Sequence, residues 1–376
     1  MNARVPAEVF PPGEFVRDEL EARGWSQVDL AQILGRSPRL VSEIISGKRQ
    51  VTPQTASGLA AAFGTDPQFW LNLESAYQLS KVEVGDNTVA RRARLYSKLP
   101  MKELLRRNWI EPTENIDVLE KRVQDFLEAD SLDGDGAFAH AAKGTATESM
   151  PPAQLAWLCR VRQIARRLVV PKYKASALRA ALPKLRQLLG SPEDVSKVPR
   201  VLQECGVRFV VVESLPGSKI DGACFWLSAS QPVVGMSLRF DRIDNFWFVL
   251  RHEIEHVLLG HGAEQPMVDS DLGAESGGTV GEEATEEERL ANTAAADFCV
   301  PAKKMDSWVA RKDPYFSEKD LLGFARVQSV HPGLVAGQLR QRTKRYNLFS
   351  KYLAKIREYL VATAVVDGWG EQHPAT

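Results

Sequence analysis

Residues 26–49, SQVDLAQILGRSPRLVSEIISGKR, decide the fold of the N-terminal part of the chain. Ser26 with Asp29 three places on, and a serine directly before Pro38, are typical helix starts. A small polar side chain caps free backbone N–H groups, and proline fits the first helical turn. Gly35 between the two apolar runs can take the positive φ of a tight turn. The spacing therefore predicts a helix-turn-helix.

Similar helix-start signals occur as far as about residue 80. Proline follows a capping residue again at Thr52 and at Asp66, which predicts two further helix starts. Within the motif, the apolar positions Leu30, Val41 and Ile44 lie on the inward faces of its two helices. We expect residues 1–80 to form a five-helix domain.

In a helix-turn-helix that binds DNA, the second helix enters the major groove and presents its early side chains to base edges. Arg39 can pair with guanine, and Glu43 can accept a hydrogen bond from cytosine. The predicted base contacts are Pro38, Arg39, Ser42 and Glu43, and the predicted phosphate contacts are Gln27, Ser46, Lys48 and Arg49.

The charge of this region leaves a second interpretation open. Residues 1–80 carry seven Lys or Arg against nine acids, whereas most DNA-binding domains are basic. A helical bundle without a DNA role would fit that balance. Between Arg36 and Arg49, however, four basic residues face one acid, which is sufficient for one motif at the phosphates.

Residues 13–79 resemble the Cro/C1-type (XRE) helix-turn-helix family, and most closely its HigA-like antitoxin branch. The most specific segment is FGTDPQFWLNLESAY at 63–77, with Phe69-Trp70 followed by Asn72-Leu73. The resemblance implies a homodimer on a palindromic double-stranded operator, often one that represses its own operon. It also implies a toxin as a potential partner.

Residues 81–200 read as a helical connecting region, with two amphipathic stretches separated by a linker-like segment at 130–152. Nine Lys or Arg and no acids occur in residues 151–187, whereas nine acids and no Lys or Arg occur in residues 262–288. The basic segment is either a solvated helix face or a nucleic-acid contact. The acidic segment predicts a mobile loop.

The composition bounds the class of protein. The 376 residues carry 48 basic and 48 acidic side chains and four widely spaced cysteines without a CxxC pair. This pattern excludes a disulfide scaffold and favours a reducing cytosol. No signal peptide and no apolar run of about 18 residues is present, so we expect a cytoplasmic protein without a membrane partner.

A second chemical motif lies in residues 201–376. Three β-rich runs, VRFVVVE at 207–213, ACFWLS at 223–228 and VVGMSL at 233–238, predict a small three-stranded sheet. The sequence HEIEH follows at 252–256 on a helical pattern. His252 and His256, one turn apart, can bind one metal ion, and Glu253 can accept a proton from water. Two surface histidines on a helix are the alternative.

A catalytic zinc site requires a third protein ligand. His261 is out of phase with the extended histidine pattern, because Leu259 stands where that pattern has glycine. Glu288 is the better candidate, and Asn292 shares its helix face one turn later. The neighbouring Glu286 and Glu287 leave the assignment open by one or two positions.

Residues 207–301 resemble the ImmA/IrrE family of zinc metallopeptidases through the HEIEH helix, its preceding strands and the segment ERLANTAAADFCVP at 288–301. The resemblance implies a zincin-like domain, zinc held by His252, His256 and Glu288, and Glu253 as the catalytic carboxylate. Glu255 departs from the small residue usual at that place. His331, in HPGLVAG, is a candidate hydrogen-bond donor to the developing oxyanion, or it serves a helix start or a core contact.

The overall prediction is an α+β, mostly α protein in which a DNA-binding regulator is joined to a zinc metallopeptidase. Such a protein would cleave a repressor-like protein in a stress or mobile-element switch. The alternative is a HigA-like antitoxin or autorepressor whose peptidase-like half senses a signal or a partner without cleaving.

Overall fold

The structure, a computed structural model, describes residues 9–81, 87–129, 131–132, 150–263, 266–270, 272, 285–368 and 370–373. The chain divides into two units, Met1–Val89 and Ala90–Thr376. Among the described residues, no helix is both long enough and apolar enough to cross a membrane.

The first unit has the five predicted helices. They are α1 Pro12–Arg23, α2 Gln27–Leu34, α3 Pro38–Ile45, α4 Pro53–Phe63 and α5 Pro67–Lys81. Three of the predicted starts are true caps, because the side chains of Ser26, Ser37 and Thr52 each accept a backbone N–H three residues on. Leu30, Val41 and Ile44 are buried in one core. The helix-turn-helix prediction is therefore confirmed.

Helices make up most of the described part of the second unit, around one sheet. After α6 Thr88–Lys98, which begins at the boundary, the helices are α7 Met101–Arg106, α8 Ile116–Leu127, α9 Pro152–Arg167, α10 Ala175–Gln187, α11 Val198–Glu204, α12 Ile243–Leu259, α13 Glu286–Cys299, α14 Ala302–Lys312, α15 Glu318–Gln328, α16 Pro332–Thr343 and α17 Arg357–Val361. Short 3-10 segments occur at Leu188–Gly190, Pro192–Lys197 and Ser350–Tyr352.

The sheet is mixed, and its described strands number six where the sequence predicts three. They are β1 Arg208–Val211, β2 Ile220–Trp226, β3 Pro232–Met236, β4 Met267–Ser270, β5 Val365–Gly368 and β6 Glu371–His373. Their order is β4-β2-β3-β1-β5-β6. β1 runs parallel to β3 and β5, and the other pairs are antiparallel. The mostly α, α+β class is confirmed at this level.

Both faces of the sheet are covered, which explains the uninterrupted apolar run in β1. Phe209 and Val211 belong to the core that contains α12, whereas Val210 belongs to the core that contains α9. A strand buried on both faces has no polar alternation. On the α9 side, the indole N–H of Trp157 donates to the carbonyl of Val212 over 2.7 Å.

The basic segment at 151–187 contributes charges to the interior of this unit. Arg160 is buried and forms an ion pair with the buried Asp367 of β5 over 2.9 Å. Arg186 donates to the carbonyl oxygen of Cys299 over 3.0 Å. At these two positions the cations hold distant elements together, so they belong neither to a solvated helix face nor to a nucleic-acid contact.

The acidic segment at 262–288 was predicted to be a mobile loop, and that prediction is wrong for two parts of it. Met267–Ser270 forms strand β4, because its backbone pairs with β2, and Glu286–Cys299 is helical from its first residue. Residues 264–265, 271 and 273–284 lie outside the described residues. Charge composition alone did not reveal the pairing partner of β4.

Gly13 supports the packing of α1 on α3. A Cβ at this position would lie 2.6 Å from the carbonyl oxygen of Ile44 and would also collide with the backbone of Ile45. We therefore expect Gly13→Ala to force the two helices apart and destabilise the first unit by roughly 1–3 kcal/mol. Hydrogen exchange of amides in residues 12–45, followed by mass spectrometry, should become faster.

Gly323→Ala is the control for this change, because a Cβ on that helical glycine meets open space. It should leave exchange in residues 12–45 unaltered. Unchanged exchange in Gly13→Ala would contradict the close approach of α1 and α3.

Candidate functional site

The helix-turn-helix presents the predicted DNA-contacting residues on its surface. Ser26 and Asp29 form a reciprocal cap, with the Ser26 N–H donating to Asp29 Oδ2 over 2.7 Å and the Asp29 N–H to Ser26 Oγ over 3.2 Å. Gly35 ends α2 with φ +60°. The exposed members of the predicted set are Gln27, Pro38, Arg39, Ser42, Ser46, Lys48 and Arg49.

Glu43 differs from the others because it is half-buried and already engaged. Its carboxylate accepts the Nε–H of Arg39 and the Nε–H of Arg49, each over 2.8 Å. The hydrogen bond from Arg39, followed by that from Arg49, holds the pKa of Glu43 below its ordinary value. In this structure Glu43 orients two arginines. Its predicted contact with cytosine stays a prediction.

The second cluster lies on the HEIEH helix α12. His252 and His256 are fully buried, and their Nε2 atoms are 2.9 Å apart. Imidazoles at i and i+4 project from the same helix face, so the two nitrogens converge. They point toward a common volume, as the spacing predicts for a shared ion.

Glu288 faces the same volume. Its carboxylate oxygens lie 3.4 Å from Nε2 of His252 and 3.5 Å from Nε2 of His256. Thr285 fixes the start of α13 by accepting the Glu288 backbone N–H over 3.3 Å. Glu288 is half-buried, whereas Glu286 and Glu287 are exposed. The geometry therefore selects Glu288 among the three adjacent acids.

Asp269, the fourth member of the cluster, was not predicted from the sequence. Ligand atoms of His252, His256, Asp269 and Glu288 all lie within 4.8 Å of one another. Asp269 belongs to β4, and its Oδ2 lies 3.3 Å from Nε2 of His252. No motif spacing connects Asp269 to the histidines, because the strand pairing of β4 with β2 brings it there.

Glu253 lies beside the cluster, fully buried, and neither of its carboxylate oxygens has a hydrogen-bond partner within the described structure. Burial, and then the negative charge of Asp269, raise its pKa well above the ordinary value. Gly222 makes room for it, because a Cβ there would lie 2.9 Å from Cδ of Glu253. The strand β2 thus touches the proposed catalytic carboxylate through a glycine, which the sequence analysis also missed.

The environment of the cluster shifts the pKa values of the two histidines in opposite directions. Burial lowers the pKa of His252, but the carboxylates of Asp269 and Glu288 outweigh burial and raise it to about 9. Burial, followed by the charge of His252, lowers the pKa of His256. The same cluster therefore favours the protonated form of His252 and the neutral form of His256.

His261 contacts the cluster from outside. Its Nδ1 lies 3.0 Å from Nδ1 of His256, and its carbonyl oxygen accepts the indole N–H of Trp226 over 2.9 Å. A ligand histidine is commonly oriented by a hydrogen bond to its other ring nitrogen. The spacing of His261 argued against a ligand role, and the structure places it behind His256.

The remaining candidates have separate positions. Asn292 is half-buried, one turn after Glu288 on α13. His331 caps α16, where its Nδ1 accepts the Gly333 N–H over 3.1 Å and burial lowers its pKa. This position agrees with the helix-cap alternative. Glu255 pairs with Arg251 over 2.6 Å on its own helix.

Comparison with known proteins assigns the first unit. The family model of the helix-turn-helix matches residues 16–70. The chain is 42% identical over 79 residues to virulence-associated protein I of Dichelobacter nodosus, covering 21% of this chain and 73% of that protein. It is 32% identical over 72 residues to the HTH-type transcriptional regulator YddM of Escherichia coli, covering 19% and 77%.

A third relative is the antitoxin HigA-1 of Vibrio cholerae, 40% identical over 68 residues, which cover 18% of this chain and 64% of that protein. Each of these three matches therefore covers about a fifth of the chain. Through its N-terminal domain, the chain belongs to the XRE-type helix-turn-helix family of DNA-binding transcriptional regulators.

Arg39 and Lys48 should affect DNA binding in different ways. We expect Arg39→Ala to lose about 1–3 kcal/mol of binding free energy on a duplex selected from random sequences, because the predicted bidentate base contact is removed. The variant should also have a weaker sequence preference at one base pair. Lys48→Ala should weaken binding to all duplexes alike. It should also reduce the slope of log affinity against log salt concentration by about 1. Fluorescence anisotropy at several salt concentrations measures both effects.

Arg23→Ala serves as the control, because Arg23 pairs with Glu19 within α1 and donates to the carbonyl of Phe63. It should bind the selected duplex like the wild type. If Arg39→Ala weakened every duplex equally, Arg39 would be a phosphate contact and the predicted readout would be wrong.

Proposed function

We propose that the protein is a transcriptional regulator whose second unit is a zinc-dependent metallopeptidase that cleaves a repressor-like protein. The observation that carries the peptidase half is the convergence of His252, His256 and Glu288 beside the buried, unpartnered Glu253. The proposed partners are a double-stranded DNA operator, bound by a homodimer, and the protein that is cut.

The cluster fits a divalent cation. Three carboxylates and two imidazoles meet in an almost fully enclosed volume, and Oδ2 of Asp269 and both oxygens of Glu253 have no hydrogen-bond partner in the described part of the chain. Buried charges of one sign are costly unless they are paired or bind a metal. Nitrogen and carboxylate oxygen ligands are those of zinc sites in hydrolases.

When bound, zinc would lower the pKa of water toward about 7 and polarise a carbonyl as a Lewis acid. Glu253 is the general base in this proposal. The positive charge of a bound ion would lower the raised pKa of Glu253 and favour its carboxylate form, which lies next to the ligands and would take the proton of the attacking water. Gly222 allows that carboxylate to lie against β2, and His261 holds the ring of His256.

A second candidate function rests on the similarity to antitoxin HigA-1. In that hypothesis the protein is an antitoxin or autorepressor, its partner is a toxin, and the second unit senses a signal or that partner without hydrolysis. The metal cluster would then be structural or sensory. The two functions differ in whether the protein hydrolyses a peptide bond with Glu253 as the base.

The zinc content of purified protein tests the ligand set. We expect about one zinc per chain for the wild type and loss of zinc in His252→Ala, His256→Ala and Glu288→Ala, because each removes a ligand. Mass spectrometry under native conditions after metal-replete purification gives the ratio.

Glu286→Ala is the matched control, since this neighbour of Glu288 is exposed. It should keep the zinc. Wild-type protein without zinc would end the peptidase proposal and leave a DNA-binding regulator.

Glu253→Gln separates catalysis from sensing. The variant should retain zinc and bind operator DNA like the wild type, but lose hydrolysis by roughly 100-fold or more, because the amide cannot take a proton. New protein N-termini that occur in cells with the wild type and are absent with Glu253→Gln would identify the substrate.

Glu255→Gln is the comparison for the same chemical change, since Glu255 pairs with Arg251 instead of facing the ligands. It should produce the wild-type set of N-termini. Identical sets and identical reporter transcription in wild type and Glu253→Gln would favour the antitoxin or autorepressor function.

A further inference from the structure

Strand β4 occupies the edge of the sheet nearest the proposed catalytic carboxylate. It pairs antiparallel with β2, with Asp269 opposite Gly222 and Val268 opposite Ala223. Gly222 is the residue that touches Glu253. An extended substrate commonly binds a peptidase or peptide-binding domain by adding a strand to a free sheet edge. Here a segment of the chain itself fills that edge of β2.

The pairing is irregular at the residue that enters the cluster. Ile220 is opposite Ser270 and Gly222 is opposite Asp269, so Asp221 is an extra residue on β2. A bulge of this kind redirects side chains and often occurs beside functional sites. Asp221 also accepts the Leu272 N–H over 2.7 Å, which ties down the end of β4. The irregularity and this bond hold Asp269 toward His252.

Asp269 itself is placed as a ligand, and its other polar neighbour is the buried carboxyl group of Glu253. Its side chain is buried, its Oδ2 lies 3.3 Å from Nε2 of His252, and that oxygen has no hydrogen-bond partner. Catalytic zinc sites have three protein ligands and an open position, whereas four protein ligands close the site. Asp269 would supply the fourth ligand.

We infer that residues 266–270 are an internal inhibitory segment, in which Asp269 closes the metal site and the backbone of β4 covers the substrate edge of β2. The inference rests on the proposed function. In the active state, an extended polypeptide replaces β4 on β2 and Asp269 leaves the ligand set. The bound substrate is thus a protein segment in β conformation that can pair along residues 220–226.

The structure makes this exchange feasible. β4 has four residues and pairs on one side only, and its Met267 and Val268 are half-buried while β2 is almost entirely buried. An incoming strand would replace the same backbone hydrogen bonds. A strand added outside β4 would lie about 4.8 Å farther from β2 and Glu253, so it would not bring a peptide bond to them.

A small metal-directed probe tests the closed position without requiring hydrolysis. Acetohydroxamic acid is titrated calorimetrically into the zinc-loaded full-length protein, and zinc retention is checked afterwards. We expect the Asp269→Ala variant to bind the probe at least 10-fold more tightly than the wild type, with Asp269→Asn also tighter. Hydrogen exchange of residues 220–226 should be faster in Asp269→Ala.

Ser270→Ala is the matched control on the same strand, because Ser270 contacts Gln154 and is exposed. Its probe affinity should equal that of the wild type. Equal affinity of wild type and Asp269→Ala, both holding zinc, would overturn the inference while leaving the proposed function intact. Loss of zinc from Asp269→Ala would also overturn it, because Asp269 would then be an indispensable ligand.

Failure of the wild type to hold zinc is a different result. It would contradict the proposed function, and the inference would fall with it.

Discussion

The close packing of helix α12 against strand β2 is the constraint on which the second unit depends. The helix places two buried imidazoles one turn apart, and the strand meets the helix through Gly222, which leaves room for the carboxylate of Glu253. A side chain at Gly222 would push the strand away and open the site to water. The burial of both elements explains why the charged groups interact strongly, because few water molecules can screen them.

The buried charges must be compensated by other groups in the same unit. Three acids converge near two histidines, and the carboxylates of Asp269 and Glu288 raise the pKa of His252 despite its burial. Elsewhere in the same unit, the buried charges of Arg160 and Asp367 compensate each other in an ion pair. The described part of this unit thus pairs several of its buried charges, and a divalent cation would compensate the cluster at His252 most completely.

Local chemistry made much of the fold predictable. Caps and prolines located the first-unit helices, since their signals lie within four residues, and the HEIEH spacing located two candidate metal ligands on one turn. Glu288 could be proposed from its helix, but the choice among three adjacent glutamates required the burial of its side chain. Asp269 and Gly222 were missed because strand pairing between distant segments creates their roles. The pairing of Glu43 with two arginines was missed because the same side chain also suits a base contact.

In the proposed mechanism, the departure of Asp269 would change the net charge of the metal centre as well as open the site. Two neutral histidines with Asp269 and Glu288 would balance a divalent ion, whereas two histidines with Glu288 alone would leave one positive charge. A positive centre attracts the developing negative charge of a polarised carbonyl more strongly than a neutral one, especially where water is excluded. Departure of Asp269 would therefore do more than vacate a position. It would increase the electrophilic strength of the site at the moment when a substrate strand takes the place of β4, so that access and reactivity would be coupled through one carboxylate.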